Sequence, residues 1–232
     1  MNLLDSLSLL TPMDFAALTF LFAAWIATGW LVEHPVGGQK STAVLMHAYR
    51  EEWMREMVTR EPRIFDSAIL GTLRQGTTFF ASSAMLAIGG GLALIGNPQP
   101  LSNVAEELIQ GDAPRVVWEI KILVMLVFLV GAFLRFVWSH RLFGYCAVIM
   151  AAVPNDPADP RTYPRAAKAG EISTLAARSF NRGMRSVYFG LAATGWLAGA
   201  LPLIVTTVAV VAMIWRREFA SQSRAALLKP DL

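Results

Sequence analysis

One uncharged stretch decides the fold of this chain: residues 186–215, SVYFGLAATGWLAGALPLIVTTVAVVAMIW. A helix rises ~1.5 Å per residue and the hydrocarbon layer of a bilayer is ~30 Å thick, so about 20 apolar residues are enough to cross it. This stretch is longer than one crossing needs, and we expect its helix to tilt, to bend at Pro202 or to protrude. The bilayer is therefore the first solvent to test for the rest of the chain.

Three further stretches meet or approach the same length. Residues 15–32 and 75–96 are uncharged, and residues 116–139 carry Glu119, Lys121 and Arg135 toward their two ends, where long side chains can reach the headgroups. The whole chain is 55% hydrophobic and 16% charged, whereas soluble proteins average about a quarter charged. The sequence therefore predicts an all-α integral membrane bundle of four transmembrane helices.

The positive charges predict how such a bundle is oriented. We interpret residues 1–232 as a single membrane domain with spans at about 14–32, 75–96, 116–139 and 186–215 and cytoplasmic segments at 33–74 and 140–185. Most Lys and Arg residues fall in those two segments, and cytoplasmic loops retain positive charge during insertion. We expect a multi-pass protein of the cell (inner) membrane with both termini outside the cytoplasm. A re-entrant element near Pro202 would instead reverse the basic C-terminal tail.

The two cytoplasmic segments have helical patterns of their own. After Ser41, apolar residues recur at three- to four-residue spacing up to Pro62, which predicts an amphipathic helix. Asp66 is expected to be the N-cap of a helix that continues through Arg74 into the second span. Residues 142–153, after the third span, are uncharged but too short for another crossing. We therefore expect helical cytoplasmic extensions of the membrane bundle.

Small residues at four-residue spacing predict where helices pack in lipid. Ser83, Ala87 and Gly91 form one such row, and Gly195 with Gly199 forms a GxxxG pattern. Chance occurrence in Ala- and Gly-rich membrane sequence is the alternative for either pattern. We expect a homo-oligomer or a subunit of a larger membrane complex, with membrane lipids as partners and no nucleic acid.

Arginines suggest an anion- or lipid-binding surface near the cytoplasmic headgroups. Arg135 stands out because it interrupts an apolar span, where a charge is costly unless it finds a partner. Arginine is suited to two-pronged recognition of phosphate or carboxylate, but positive charge on the cytoplasmic side is also expected from topology alone. The candidate residues are Arg74, Arg135, Arg141, Arg178, Arg182 and Arg185, with Asn181 beside them.

Neither a cofactor nor a catalytic motif stands out. His34 and His140 end two spans on the same expected side and could hold haem, or a metal with His47 as a third ligand. We expect no cofactor and keep haem or metal binding as the alternative. The single cysteine, Cys146, excludes a disulfide within the chain and a cysteine metal cluster. Because nucleophile elbows and phosphate-binding loops are also missing, the sequence favours a non-catalytic protein.

Three stretches also carry a family resemblance. They are Phe79–Ser83 at the start of the second span, Arg135–Tyr145, and Ser179–Phe189, read together with Asp66 after the charged helix. These features resemble bacterial and plant membrane proteins grouped as the domain of unknown function 599 family. The resemblance implies the same topology and adds no reaction.

The leading hypothesis is a non-catalytic oligomeric or accessory subunit with a basic cytoplasmic-side surface for anionic lipid or a partner. The absence of catalytic motifs and the rows of small residues motivate it. The alternative is an oligomeric channel or transporter for a small anion, because Arg135 lies within a span and basic residues cluster at one mouth.

Overall fold

The computed structural model of the protein describes residues 9–34, 37–97 and 114–230. The described residues are mostly helical and form no strand, so the expected all-α fold is confirmed. We expected both termini outside the cytoplasm, and the terminal residues that this prediction concerns lie outside the described ranges. The α-helices are α1 Pro12–Glu33, α2 Thr42–Glu56, α3 Ile64–Gly96, α4 Arg115–Ala151, α5 Thr162–Thr194, α6 Ala200–Phe219 and α7 Gln222–Leu227.

Four helical segments of the described chain are long and apolar enough to cross a membrane. They are Pro12–Glu33, Ile64–Gly96, Arg115–Ala151 and Ala200–Leu227, the last comprising α6 and α7. Length and composition thus make the chain compatible with a membrane protein. At ~1.5 Å per residue, α3 and α4 are each longer than ~30 Å of hydrocarbon requires.

Local sequence explains where several helices begin. At α1, Asp14 Oδ2 accepts from the Thr11 amide at 3.0 Å while Thr11 Oγ1 accepts from the Asp14 amide at 3.2 Å, a reciprocal capping box. Pro12 stands in the first turn, where its missing N–H costs nothing. At α2, Ser41 Oγ accepts from the Val44 amide at 3.2 Å. These caps satisfy amide donors that the first helical turn leaves free.

The stretch expected to form one fourth span, residues 186–215, is divided in two. α5 ends at Thr194, a 3₁₀ turn covers Gly195–Ala198, and α6 begins at Ala200. Gly199 adopts φ 116° and ψ 178°, a backbone conformation essentially restricted to glycine. Pro202 is not the bend that we expected, because it lies in the first turn of α6 and needs no amide partner there. The single-helix expectation is therefore corrected.

The chain, which we interpreted as one domain, groups into two compact units. Unit 1 consists of the described residues of Met1–Leu31, Ser83–Ala132 and Met184–Arg216. Unit 2 consists of the described residues of Val32–Ser82, Phe133–Gly183 and Arg217–Leu232.

Phe128 of α4 lies at the centre of unit 1. Its ring stacks on Phe22 at 5.2 Å between centroids and meets Trp25 edge-on at 5.5 Å. A Cβ added at Gly190 would lie 3.3 Å from Phe128 Cβ, so α5 approaches this ring closely because position 190 has no side chain. Trp196, in the 3₁₀ turn, is fully buried and donates its indole N–H to Asp14 Oδ1 at 2.7 Å.

Methionines and small residues fill the core of unit 2. Met54 and Met57 are fully buried and pack with Cys146 of α4. Gly170 of α5 lets α2 approach, since a Cβ there would lie 3.4 Å from the Glu51 Cα. The Cys146 thiol contacts the Ala169 carbonyl oxygen at 3.4 Å. The amphipathic helix expected after Ser41 therefore packs on α4 and α5 through its apolar face.

Asp66 does not cap α3 as expected. The helix begins at Ile64, which places Asp66 in its first turn, fully buried. Its Oδ1 accepts from the Trp53 indole at 2.7 Å and pairs with the Arg60 guanidinium. The other oxygen, Oδ2, is buried without a hydrogen-bond partner in the described part of the chain. The carboxylate thus ties α3 to α2 instead of satisfying amides of its own helix.

The C-terminal tail closes the start of α2. Glu218, only 7% exposed, accepts from the Ala43 amide through Oε2 at 3.2 Å. Thr42 Oγ1 donates to the Glu218 carbonyl at 3.2 Å, and Arg224 Nε donates to the Lys40 carbonyl at 2.9 Å. The tail and the segment that follows α1 therefore lie together within unit 2.

Candidate functional site

Unit 2 carries an open cleft of about 450 Å³ between the first turns of α3 and the last turns of α4. The α3 residues that line it recur at three- to four-residue spacing and so share one face of that helix. The α4 residues do the same. The lining consists of Met57, Arg63, Ser67, Leu70, Gly71, Arg74, Ala147, Met150, Ala151 and Asn155.

The floor of the cleft is apolar. Met57 is fully buried, and Leu70 and Met150 are each less than a tenth exposed. Gly71 keeps the cleft open, because no atom lies within 4 Å of a Cβ added there. These side chains are already almost fully covered, so the apolar surface that a ligand could still cover comes mainly from exposed lining residues such as Gly71 and Ala151.

Two arginines line the cleft, and neither contacts a carboxylate in the described part of the chain. Arg63 donates to the carbonyl oxygens of Val153 and Pro154 at 2.8 and 3.0 Å, and to that of Val58 at 3.3 Å. These three bonds hold its guanidinium in place at the start of α3. Arg74 is exposed, and its Nη2 lies 3.4 Å from His140 Nε2. Both cationic charges therefore remain available to an anion.

His140 lies between Arg74 and two threonines of α3. The hydroxyls of Thr77 and Thr78 donate to the Arg74 carbonyl at 2.7 and 3.1 Å. His140 Nδ1 lies 3.3 and 3.2 Å from these hydroxyls, and its Nε2 lies 3.4 Å from Arg74 Nη2. The histidine therefore links the side chain of Arg74 to the next turn of α3.

The predicted arginine set is not one cluster. Arg182 forms an ion pair with Glu33, with Nε 2.8 Å from Oε1. The hydrogen bonds that Arg182 donates to this carboxylate raise the pKa of Arg182 above its usual value, which keeps the guanidinium charged. Arg135 interacts electrostatically with both groups, and its carbonyl accepts from Ser179 Oγ at 2.9 Å. Sequence reasoning brought Arg135 and Arg182 together and counted Glu33 among several acidic residues near them, but it did not assign Glu33 as the partner of Arg182.

The other predicted arginines differ from this pair in exposure and in partners. Arg141 donates to the Tyr145 hydroxyl at 2.9 Å, one turn along α4. Arg178 is exposed and Asn181 half-buried on α5. Arg185, which we expected on the same surface as Arg178 and Arg182, is 5% exposed and belongs to unit 1, where its Nε lies 3.9 Å from a Cβ added at Gly29. The spacing correctly predicted a helix over these three arginines, but the face of α5 that carries them becomes buried toward the C-terminal half of the helix.

The three histidines do not form a metal site in the described residues, which contain no group of three potential His, Cys, Asp or Glu ligands. His47 lies 3.6 Å from Glu51 on the same helix. His140 is engaged with Arg74 and the two threonines described above. Haem or metal binding through His34 and His140 therefore gains no geometric support.

The predicted helix-packing residues are divided between packed and exposed positions. Gly91 packs on α4, since a Cβ there would lie 2.6 Å from Leu126 Cδ2, but Ser83 and Ala87 are exposed. Gly195 and Gly199 lie in the break between α5 and α6, so they form no GxxxG face on a continuous helix. A Cβ at Gly195 would lie 2.5 Å from Thr206 Oγ1, which shows that this glycine accommodates α6.

Two polar clusters in the structure have no counterpart in the sequence analysis. In unit 1, Lys121 is 9% exposed, and its Nζ lies 5.0 and 5.8 Å from the ring centroids of Trp118 and Trp196. In unit 2, Asp66 joins Trp53 and Arg60. Trp53 and Trp196 lie at positions that the sequence presents as apolar. The sequence therefore did not indicate that their indole nitrogens would donate to carboxylates elsewhere in the chain.

Taken together, the fold and the cleft define an all-helical chain with four helices apolar enough to span a membrane and a basic, partly apolar site beside them. The chain belongs to the protein family of unknown function DUF599, whose family model matches residues 16–223. Comparisons with curated proteins and with solved structures find no match.

Proposed function

We propose that the protein is a non-catalytic membrane subunit that binds anionic lipid through the basic surface of unit 2. The charge distribution carries this proposal. Unit 2 contains every Lys and Arg of the chain except Arg115, Lys121, Arg185 and Arg216. Basic residues on a cytoplasmic surface attract anionic headgroups by about 1 kcal/mol each near the bilayer.

Unit 1 instead exposes large apolar side chains. Ile26, Leu86, Leu191 and Val205 are each at least 60% exposed. Such exposure carries no hydrophobic cost in hydrocarbon, so unit 1 suits a lipid environment. Ala87, Gly89 and Gly90 are also exposed on α3 and leave room for the close approach of another helix. Assembly with a second copy or with another membrane protein is therefore part of the proposal.

The tail contacts support a revised orientation in the membrane. We expected the C-terminal tail outside the cytoplasm, but Glu218 and Arg224 bind the segment after α1 within unit 2. If that segment is cytoplasmic, the tail is cytoplasmic too. This revision places Arg217, Arg224 and Lys229 with the other basic residues and removes the conflict with the positive-inside rule.

The alternative of an anion channel is less well supported. Arg182 is neutralised by Glu33, and Arg135 interacts with that same pair, so neither presents an isolated positive charge to a pore.

Lipid retention tests the proposal directly. We would replace two exposed arginines together, Arg141→Gln and Arg178→Gln, and measure bound phosphatidylglycerol and phosphatidylcholine by native mass spectrometry after mild detergent release. With about 1 kcal/mol per charge and two charges removed, the retained phosphatidylglycerol should fall roughly thirtyfold while phosphatidylcholine stays unchanged. The matched control is Arg161→Gln, since Asp159 already pairs with that exposed arginine. Unchanged phosphatidylglycerol in the double variant would refute the proposal.

A further inference from the structure

We propose that the cleft between α3 and α4 is a binding site for one single-chain amphiphile with an anionic head, either a fatty carboxylate or a monoalkyl phosphate. The inference deepens the proposed function and rests on it for the aqueous, cytoplasmic surroundings of unit 2. It concerns a separate surface, because Arg141 and Arg178 do not line the cleft.

The size of the cleft fits one small ligand. Its volume of about 450 Å³ lies within the range of about 300 to 1,000 Å³ that is common for small-molecule sites. A docked helix would need a groove for a cylinder about 10 Å across. The lining comes from short faces of two helices and fits a narrow chain better.

The lining chemistry requires an amphiphile. Met57, Leu70 and Met150 offer a buried apolar floor, which a fully hydrated anion such as free phosphate cannot use. Arg63 and Arg74 add two positive charges that a neutral lipid would leave unmatched. A ligand with both a hydrocarbon chain and an anionic group satisfies both parts of the lining.

The two arginines differ in what they can do. They are eleven positions apart, about 16 Å along the helix axis, so one compact headgroup cannot contact both. Arg63 is held by three carbonyl oxygens, whereas Arg74 is exposed and has one long contact to His140. The headgroup therefore binds Arg74, and the chain lies along Gly71 and Leu70 toward Met57.

The chain offers a matched pair of steric variants. Gly71→Leu fills the cleft, and nothing within 4 Å of the added Cβ would force the backbone to move. Gly76→Leu makes the same change on the same helix, also into open space, but at a position that does not line the cleft. Both changes replace glycine in a helix interior, which should favour the fold.

The test uses the full chain in phosphatidylcholine nanodiscs, where no detergent competes for the cleft. A dodecanoate probe bearing a photoreactive diazirine is crosslinked, and the labelled peptides are mapped by mass spectrometry. We expect labelling of residues 67–74 and 147–155 that falls at least tenfold in Gly71→Leu and is unchanged in Gly76→Leu. Equal labelling of the two glycine variants would overturn the proposal.

The headgroup is tested with the same readout. Arg74→Gln should lower dodecanoate labelling about tenfold, as expected for loss of a charged hydrogen bond, while Arg161→Gln, at an exposed arginine that pairs with Asp159 and does not line the cleft, leaves it unchanged. Dodecyl phosphate and unlabelled dodecanoate should compete, and their relative potency decides between the two head chemistries. Competition by inorganic phosphate alone, or equally strong labelling by a dodecanol probe, would show that the site does not recognise an anionic amphiphile. A failed lipid-retention test with normal cleft labelling would refute the surface proposal only.

Discussion

At the scale of single residues, the buried carboxylate of Asp66 has the clearest structural role. It accepts from the Trp53 indole and pairs with Arg60, although its second oxygen has no partner in the described chain. Removing a buried hydrogen-bond partner leaves the other group unsatisfied, at a cost of about 1 to 3 kcal/mol. Asp66 therefore fixes the junction of α2 and α3.

We predict that Asp66→Ala lowers the free energy of unfolding by about 1 to 3 kcal/mol and that Asp66→Asn has a smaller effect. Asparagine keeps an oxygen acceptor for the Trp53 indole and places an amide where Oδ2 lacks a partner. Thermal unfolding in a mild detergent measures the difference, with Glu52→Ala as an exposed control. An alanine variant as stable as the parent would show that this carboxylate does not hold the two helices together.

Among single residues, the sequence indicated Arg74, Arg135 and Arg182 as polar groups of interest but gave no means to assign their partners. Glu33 and Arg182 are far apart in the chain, and His140 meets Arg74 only because α3 and α4 pack side by side. Arg63 and Gly71 were missed because a cleft is a property of two helix faces. Neither face has an unusual sequence by itself.

At the scale of elements, the break between α5 and α6 is where composition was least informative. Hydropathy runs without interruption from residue 186 to residue 215, so it could not show that Gly199 leaves the helical region. By contrast, the apolar spacing after Ser41 correctly predicted α2, and the uncharged run after Arg141 correctly predicted the extension of α4. Both predictions succeeded because periodicity and charge report directly on burial.

Gly199 provides a test of the break between α5 and α6. A side chain at φ 116° and ψ 178° is strained, and such positions cost about 1 to 3 kcal/mol, so we predict that Gly199→Ala destabilises the protein by that amount. Gly90→Ala, at an open helical position, should be neutral or slightly stabilising. Chemical unfolding curves of the two variants, recorded side by side, compare these costs. Equal stability would mean that the α5–α6 connection tolerates an ordinary residue.

At the scale of the whole molecule, the arrangement of charge predicts which segments face the cytoplasm. We would place single cysteines at Met13, Glu52 or Lys229 in a Cys146→Ala background and treat spheroplasts with a membrane-impermeant maleimide. Labelling is expected at position 13 in intact spheroplasts, and at positions 52 and 229 only after the membrane is opened. Labelling of position 229 in intact spheroplasts would restore the expectation that the C-terminal tail lies outside.

The bond from Glu218 to the Ala43 amide has a consequence for biosynthesis. The acceptor lies 175 positions after the amide that it binds. During translation, the start of α2 must wait with open amide donors until Glu218 has been made. Proteins shortened before Glu218, or fused so that residues 217–228 are pulled away, should therefore mature poorly even though the apolar part of each long helix has been synthesised.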